Sequence, residues 1–366
     1  MSLGENLWKK FLPKYLEALG APVAIIGLFG TAEDFLDGLY QYPGGWIGDH
    51  LGRRQALLLF VSISIGGYAV YWLAPTWPWI FVGLLLVTAW SSMASPTLFS
   101  VIGDALPPRR RARGFTLQSM LKRIPITVAP ALGGWLIGAR GLTMGIRALL
   151  VATIALAGLT LIACAFISIP KIPDPARTRI VGVWKALPRQ LRRLLLSDVF
   201  IRTCEGMVDV FLVLYATNVI GIQASQFGVL LGVQALTAMA AQIPAARLAD
   251  SIGRKPFVVA TFVFFSLFPI AVVLSRSFMA LTAAFMVGGL REVGEPARKA
   301  MIVDMVQPAL RARSIGLYYL VRSVAISPAA FVGGLLWTIT PVFPFMLAGA
   351  IGVVGTAVFA AAVDES

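Results

Sequence analysis

Charged side chains lie inside long apolar stretches of this sequence, and they are the residues with the most chemistry to offer. A charge at the centre of a bilayer costs about 3 kcal/mol unless it faces water or a partner. Burial also favours the protonated form of a carboxyl group, so acidic side chains at such depths can carry protons. We therefore predict a polar cavity for a substrate or a proton, formed by Lys9, Lys10, Asp34, Asp37, Lys122, Arg123, Glu205, Asp209, Arg291, Glu292, Glu295 and Arg322.

Other charges lie nearer the ends of the apolar stretches. For Glu17, Arg202 and Arg298 we expect structural ion pairs, or long side chains that reach the headgroup region. Three of the cavity candidates are cations in the fifth and eleventh stretches, namely Lys122, Arg123 and Arg322. Unpaired cations in a cavity would favour an anionic substrate.

The composition assigns the chain to the membrane and excludes several classes. Hydrophobic residues make up 58% of the chain and charged residues 13%, which leaves too little polar surface for a soluble protein. The net charge of +14 is concentrated in short clusters between apolar stretches, a pattern typical of membrane topology rather than nucleic-acid binding. With one histidine, two cysteines and no glycine-rich ATP-binding loop, we expect no metal site, no cofactor and no enzyme activity.

Twelve apolar segments, each near the length of about 20 residues that a bilayer requires, predict twelve transmembrane helices. A backbone in lipid must satisfy its own hydrogen bonds, so the predicted fold class is an all-α membrane protein. The predicted spans are 3–20, 22–43, 56–74, 78–101, 114–138, 143–168, 196–219, 224–245, 257–275, 278–302, 314–337 and 342–363.

The predicted helices form two halves of six. Residues 1–168 are the N-terminal half, 196–366 the C-terminal half, and 169–195 a cytoplasmic linker rich in Pro, Arg and Lys. Residues 184–196 have the pattern of an amphipathic helix on the inner leaflet. The first helix is expected to be truncated, because alignment of Glu5 with Glu205 places its start before the first residue. A start codon assigned too late, which we favour, and a natural shortening both stay open.

Lysine and arginine are strongly biased to alternate connections between the predicted helices. The basic clusters are Arg53–Arg54, Arg109–Arg113, Lys171–Arg193, Arg254–Lys255 and Arg311–Arg313. The other connections carry almost nothing basic beyond Arg140, Arg147 and Arg276. Because cytoplasmic loops are rich in Lys and Arg, both termini are predicted to be cytoplasmic. No Asn-x-Ser/Thr sequon occurs, which favours a multi-pass protein of a prokaryotic inner membrane.

Two segments about 201 residues apart repeat one pattern and mark a duplication. Gly-Trp-Ile-Gly-Asp-His-Leu-Gly-Arg-Arg at 45–54 is echoed by Ala-Arg-Leu-Ala-Asp-Ser-Ile-Gly-Arg-Lys at 246–255. Glycine permits a tight turn, and the aspartate can interact with a helix dipole or a basic residue. Two repeats of six helices share one topology and face each other across an axis along the membrane normal, which is the build of a membrane carrier.

On these residues the chain resembles the major facilitator superfamily over essentially its whole length. The family's loop signature, Gly-x-Leu-Ala-Asp-Arg-x-Gly-Arg-Lys-x-x-Leu, is closely matched between Gly45 and Leu57, and the second copy departs from it at Ala246 and Val258. The resemblance implies alternating access, with the two halves rocking about a central site. It also implies a conformational latch for the outward-facing state, formed by Gly45, Asp49, Gly52, Arg53, Arg54, Asp250, Gly253 and Arg254.

The fifth predicted helix carries a second motif, Val-Ala-Pro-Ala-Leu-Gly-Gly at 128–134. It resembles the family's antiporter motif, Gly-Pro-x-x-Gly-Gly, with alanine in place of the first glycine. Pro130 removes a helix hydrogen bond and predicts a bend in helix 5. Gly133 and Gly134 predict close helix packing.

These features predict a secondary active transporter, a monomer in the lipid bilayer that moves small organic solutes by alternating access. The antiporter-like motif favours proton-coupled export, with the proton gradient as the energy source. The fourth helix, however, holds Ser91 where its repeat mate is Arg291 and where the family usually has a proton-coupling arginine, so the proton carrier is not assigned. An importer or symporter of an organic anion is the alternative. A third hypothesis, from another class, is a non-transporting sensor or assembly partner.

Overall fold

A computed structural model of the chain describes residues 1–94, 108–166, 188–306 and 311–363, without the side chains of 41, 42, 45, 49, 108–122, 243, 246, 250 and 311–313. All regular structure in these ranges is helical. The helices are α1 (Ser2–Trp8), α2 (Leu12–Ala18), α3 (Val23–Leu51), α4 (Arg53–Leu73), α5 (Pro78–Thr88), α6 (Pro108–Arg140), α7 (Leu142–Phe166), α8 (Arg189–Asp209), α9 (Leu212–Leu214), α10 (Ala224–Ile252), α11 (Lys255–Leu274), α12 (Phe278–Leu290), α13 (Glu295–Asp304), α14 (Arg311–Ile326), α15 (Pro328–Ile339) and α16 (Phe343–Ala362).

The helices follow the twelve predicted spans, and the all-α membrane fold class is confirmed. Six stretches are long and apolar enough to cross a bilayer by length and composition, namely Arg53–Leu73, Leu142–Phe166, Ala224–Ala249, Lys255–Leu274, Ser314–Ile339 and Phe343–Ala362. Of the other predicted spans, 3–20 and 278–302 are divided between short helices in succession, whereas 22–43 and 114–138 lie in the continuous helices α3 and α6.

Interruptions of the helices mark places where backbone groups leave the regular pattern. A 3₁₀ turn at Lys9–Phe11 joins α1 to α2, and π-helical turns follow α5 at Ala89–Met93 and α9 at Tyr215–Val219. Residues 291–294 form turns between α12 and α13. Irregular backbone at membrane depth is tolerated where it is buried in protein or lines a cavity, and π turns are frequent at functional sites. These interruptions are therefore the places where a functional site is expected.

The chain forms two compact units, and the first comprises Met1–Pro22, Ala32–Ala176 and Gln223–Gly228. In it α1 packs on α6 and α7, and α4 packs on α5 and α7. Small residues allow the backbones to approach, since a Cβ atom on Gly67 would stand 2.7 Å from the amide nitrogen of Val87. Such close contacts of small residues are how helices associate in a membrane.

The second unit comprises Val23–Thr31, Arg177–Ile222 and Val229–Ser366. In it α16 packs along α8 and α11. Its core is aromatic, with Phe262, Phe265, Tyr318 and Phe359 each at most 1% exposed. This core lies beside the charged residues that make up the candidate site.

The helix that follows the predicted linker begins at Arg189, earlier than the predicted start at residue 196. Leu191, Leu194 and Leu195 are buried in the protein. The predicted surface helix is therefore wrong for the residues after 188, because this apolar face packs on the protein core rather than on lipid headgroups. Residues 184–187 lie outside the described residues, and the boundaries 1–168, 169–195 and 196–366 stay predictions.

The signature segments are not loops over most of their length. The first copy is helical as far as Leu51, the chain turns at Gly52 with φ +86°, and α4 starts at the next residue. The second copy is helical as far as Ile252 and turns at Gly253 with φ +108°. Glycine adopts this left-handed conformation without steric cost. The predicted tight turn is thus confined to Gly52 in the first copy and to Gly253 and Arg254 in the second.

Candidate functional site

The strongest candidate site surrounds the break between α12 and α13, in the second unit. The backbone N–H of Gly294 donates a 2.6 Å hydrogen bond to Oγ1 of Thr261 on α11. A Cβ atom on Gly294 would overlap the carbonyl oxygen of Phe257, so a larger residue would push the break away from α11. The next helix starts with Glu295 and Pro296, which are favourable in a first turn. The sequence thus fixes where the helix stops and restarts.

Arg202 and Arg298 connect the acidic residues near the break. Nη1 of Arg202 lies 2.7 Å from Oε2 of Glu205, and its Nη2 donates a hydrogen bond to Oε1 of Glu295. Nη2 of Arg298 lies 2.9 Å from the other oxygen of Glu295. Residues three apart on a helix share a face, which places each arginine beside its partner. The result is a network that joins α8 to α13.

Asp198 lies at one end of this network. Its Oδ2 accepts hydrogen bonds from Nη1 of Arg298 at 2.8 Å, from the hydroxyl of Tyr318 at 2.9 Å and from Nη1 of Arg322 at 3.3 Å. The Asp198 side chain has no solvent exposure. Removing one partner of a buried ion pair leaves an uncompensated charge. Asp198 therefore ties α8 to both α13 and α14.

Arg291 lies at the start of the break and is held by aromatic rings. Its Nε donates a 2.9 Å hydrogen bond to the carbonyl of Gly288, and its Nη1 lies 3.6 Å from Glu205. The guanidinium carbon lies 4.9 Å from the ring centroid of Phe265 and 4.4 Å from that of Phe268. Cation–π contacts of this kind fix the plane and the position of a guanidinium group.

Glu292, the next residue, has a different environment. It accepts a 3.1 Å hydrogen bond from Nε2 of Gln242 on α10. In the described part of the chain no basic side chain lies within ion-pair distance of Glu292, unlike the carboxylates of Asp198, Glu205 and Glu295. A proton bound to Glu292 would therefore break none of the ion pairs described above.

The charges of this cluster balance when every group is ionised. The cluster contains four arginines and four carboxylates, namely Arg202, Arg291, Arg298, Arg322, Asp198, Glu205, Glu292 and Glu295. Protonation of Glu292 would leave one net positive charge. The protonation state of one side chain thus sets the net charge of the cluster.

The first unit has a smaller set of polar contacts. Nζ of Lys9 lies 2.6 Å from Oε1 of Glu33, and the hydroxyl of Tyr68 donates a 2.6 Å hydrogen bond to Oε1 of Glu5. The hydroxyl of Ser92, in the π turn after α5, donates a hydrogen bond to Asp37. These contacts join α1 to α4, and they join the 3₁₀ turn and the π turn to α3 through the predicted cavity residues Lys9 and Asp37.

The remaining predicted cavity residues are placed as follows. Lys10, Asp34 and Asp209 each have an interaction partner. Arg123 is half-buried in α6 and makes no side-chain hydrogen bond or ion pair with the described residues. The side chain of Lys122 lies outside the described residues.

Sequence reasoning misjudged two arginines and missed two further residues. Arg202 and Arg298 form the expected ion pairs, but Arg298 is 1% exposed and does not reach toward the headgroups. Arg322, expected to be an unpaired cation, is paired with Asp198. Asp198 and Tyr318 were not singled out. Opposite charges at Asp198 and Arg202, four residues apart on one helix, were the available signal.

The predicted latch residues are partly described. A guanidinium nitrogen of Arg54 donates a hydrogen bond to the carbonyl of Ala165, at the end of α7. In the second copy Arg254 forms an ion pair with Asp304, at the end of α13. Arg53 also has an interaction partner. The side chains at positions 45, 49 and 250 lie outside the described residues.

The antiporter-like motif lies in the continuous helix α6. The helix runs through Pro130, and the predicted bend stays a prediction. A Cβ atom on Gly134 would stand 2.6 Å from the carbonyl oxygen of Ala224 and 3.2 Å from the Cα of Gly228. The motif's glycines therefore lie in close backbone contacts within the first unit.

Comparison with known families assigns the chain. The model of the Major Facilitator Superfamily matches residues 9–202 and 194–366. The chain belongs to this superfamily. It is a multi-pass membrane transporter and not an enzyme, as the signature segments predicted.

Relatives and solved structures are similar over nearly the whole chain. An uncharacterised MFS-type transporter of Methanocaldococcus jannaschii is 21% identical over 94% of this chain and 87% of the relative. The crystal structure of the nucleoside transporter NupG superposes with a TM-score of 0.80 at 14% identity, covering 98% of this chain and 96% of NupG. The human organic anion transporter MFSD10 superposes with a TM-score of 0.68 at 17% identity, covering 98% of this chain and 96% of MFSD10. At these identities the likeness to the structures shows the fold alone.

Proposed function

We propose that this superfamily member is a proton-coupled exporter of small organic solutes, an antiporter in which proton and substrate compete for Glu292. The observation that carries the proposal is the environment of this carboxylate, which lies in a helix break and is hydrogen-bonded to the neutral Gln242. Binding sites of transporters are frequently built at discontinuous helices. A cationic or polar solute that contacts Glu292 would displace the proton, and a proton would release the solute. Competition for one group couples two opposite fluxes.

The charge balance of the cluster favours a second candidate, symport of an organic anion with a proton. Protonation of Glu292 leaves one positive charge in excess, and that charge would attract an anion. Both candidates use Glu292 as the proton carrier, and they differ in whether proton and solute travel in the same direction. A non-transporting sensor or assembly partner is the third candidate. It would move neither protons nor solute across the membrane.

The direction of proton movement separates these candidates. Purified protein is reconstituted into liposomes that contain a pH-sensitive dye, and a panel of nucleosides, organic acids and organic cations is added outside. For a solute that enters, antiport raises the luminal pH because protons leave, whereas symport lowers it. A rise supports the proposal, and a fall supports the anion symporter. Absence of both proton movement and solute exchange across the panel contradicts transport.

A substitution tests whether Glu292 carries the proton. Glu292→Gln should retain exchange of labelled solute between the two sides at equal pH, but should lose accumulation driven by a pH gradient, because glutamine cannot bind the proton. Glu17→Gln is the matched control, since Glu17 is paired with Lys14 at 2.5 Å in α2, and it should keep both activities. Accumulation by Glu292→Gln that still follows the pH gradient would show that another group carries the proton.

The asymmetry of Lys and Arg supports a further part of the proposal. The chain would function as a monomer in a prokaryotic inner membrane, with both termini in the cytoplasm. Small organic solutes and the lipid bilayer would be its partners, and the proton gradient would drive it without a cofactor.

A further inference from the structure

A groove lies where α4 and α6 end and α7 begins, in the first unit. Its cavity has a volume of about 390 Å³ and is lined by Trp72, Leu73, Arg140, Met144, Arg147 and Val151. Arg140 and Arg147 belong to the few basic residues on connections that otherwise lack them. Basic residues are disfavoured on the predicted non-cytoplasmic side of a membrane protein. The presence of two arginines in one groove on this side therefore indicates a function for them.

The two arginines lack carboxylate partners in the described part of the chain. Arg140, the last residue of α6, is exposed and has no hydrogen bond or ion pair there. Arg147 donates to the carbonyl of Ala74 at 3.4 Å, and its Nε is buried without a hydrogen-bond partner. The start of α7 adds partial positive charge from its backbone N–H groups. The groove therefore carries uncompensated positive charge and an unsatisfied donor, which suit an anion.

The rest of the groove is apolar. Leu73 is 65% exposed and Met144 67%, and Val151 continues the same wall two turns along α7. Trp72, near the end of α4, also lines the groove, and tryptophan is enriched where the bilayer meets water. A free anion would have no use for the apolar wall, whereas an acyl chain would cover it.

We propose that this groove binds one anionic phospholipid, with the phosphate between Arg140 and Arg147 and an acyl chain along Met144 and Val151. Arginine forms strong, charge-assisted hydrogen bonds to phosphate oxygens. The lipid supplies the missing charge and the missing acceptor, and it explains why two arginines are kept on a side where such residues are scarce. The inference is independent of the proposed transport activity.

The test measures lipid binding to the full chain. Delipidated protein in detergent is titrated with phosphatidylglycerol and examined by native mass spectrometry. The wild type should bind one more lipid molecule than Arg140→Gln/Arg147→Gln, and the affinity should fall about fivefold for each arginine removed. Arg276→Gln, an exposed arginine elsewhere on the predicted same side, is the matched control and should bind as the wild type does. Phosphatidylcholine with the same chains should bind more weakly than phosphatidylglycerol.

Several results would overturn the proposal. Equal binding of phosphatidylglycerol to the wild type and the double variant would show that the arginines hold no lipid. Displacement of the lipid by millimolar inorganic phosphate would show a site for a free anion, without a need for the acyl chain. The single variant Arg140→Gln guards against misfolding, because Arg140 makes no contact that the fold requires in the described residues. Its affinity must fall while its melting temperature without lipid stays unchanged.

Discussion

Gly133 lies so close to the carbonyl oxygen of Leu7 that a Cβ atom on the glycine would overlap it. Gly333, its counterpart in the second repeat, lies in the same way against Met207, where a Cβ atom would stand 2.5 Å from the carbonyl oxygen. The duplication has thus kept one close helix contact in both copies. Over the same helices the charges have diverged, because Glu205 has two arginine partners whereas its repeat mate Glu5 is hydrogen-bonded to Tyr68.

Gly133→Ala should destabilise the protein by about 1–3 kcal/mol, because the added methyl group forces α1 away from α6. The measurement is the melting temperature of the detergent-solubilised protein, followed by size-exclusion chromatography after heating. Gly66→Ala is the control, since no heavy atom lies within 4 Å of the Cβ position there. It should be neutral or slightly stabilising, because alanine favours a helix by about 1 kcal/mol over glycine. Equal melting temperatures for the two variants would contradict the close contact.

Asp198→Asn should cost about 3–5 kcal/mol, because it removes the carboxylate that pairs with Arg322 and leaves the buried Arg298 paired with Glu295 alone. Asparagine keeps the shape of the side chain, so packing is not the cause. Tyr318→Phe removes one hydrogen bond to the same oxygen and should cost about 1 kcal/mol. Thermal stability of both variants measures the difference. A loss no larger for Asp198→Asn than for Tyr318→Phe would show that the ion pairs contribute little.

Arg291→Lys should lower the initial rate of solute exchange by about tenfold or more. Lysine carries the charge but cannot stack a planar group on Phe265 and Phe268, and cation–π contacts in a desolvated site contribute about 2 kcal/mol. Arg247→Lys, at an exposed position of α10, is the control and should leave the rate unchanged. Wild-type exchange by Arg291→Lys would show that charge alone is needed.

Arg254→Gln should slow turnover while substrate affinity stays the same. Its ion pair with Asp304 joins the second signature copy to the end of α13, and a contact present in one conformational state changes populations rather than the binding site. The pair is partly exposed, so the effect on stability should stay within about 1 kcal/mol. The double exchange Arg254→Asp/Asp304→Arg should recover part of the rate. Weakened binding at an unchanged rate would refute the latch.

The predicted topology is tested with single cysteines. Arg276→Cys should react with an impermeant thiol reagent added outside intact cells, and Lys185→Cys should react only after the membrane is opened. Cys164 and Cys204 are buried, and a background lacking both removes their signal. Strong labelling of Lys185→Cys in intact cells would place the linker outside and invert the topology.

The fold could be predicted because hydropathy and the two signature copies are strong signals. The ends of the helices were harder to predict from the sequence. The segment 45–51 is helical since Gly52 alone supplies the turn, and a pattern of residue types does not show where helical hydrogen bonds stop. Leu191 and Leu194 read as one face of a surface helix, yet tertiary packing buries both. An apolar stripe on a helix does not indicate whether that face packs on protein or on lipid.

The candidate site was predicted as a set of charges but not as a network. Arg291, Glu292 and Glu295 stood out because they interrupt an apolar stretch. The pairing of Glu295 with Arg202, and of Arg298 with Asp198, joins side chains about a hundred positions apart in sequence, and no local pattern reports such contacts. The contrast between paired Glu295 and Glu292, bonded to Gln242, arises from the turns between α12 and α13, which only the folded backbone displays.

Asp198 and Arg298 are separated by 100 positions in the chain, and this has a consequence for biosynthesis. At about 5–20 residues per second, roughly 5–20 s pass between the synthesis of the two side chains. Until then the nearest cation is Arg202, whose Nε lies 3.9 Å from Oδ1 of the aspartate in the folded protein. Release of an incompletely neutralised carboxylate into lipid costs up to about 3 kcal/mol, the value at the bilayer centre. Helix α8 therefore gains from staying at the translocon, next to water, until α13 arrives to neutralise it.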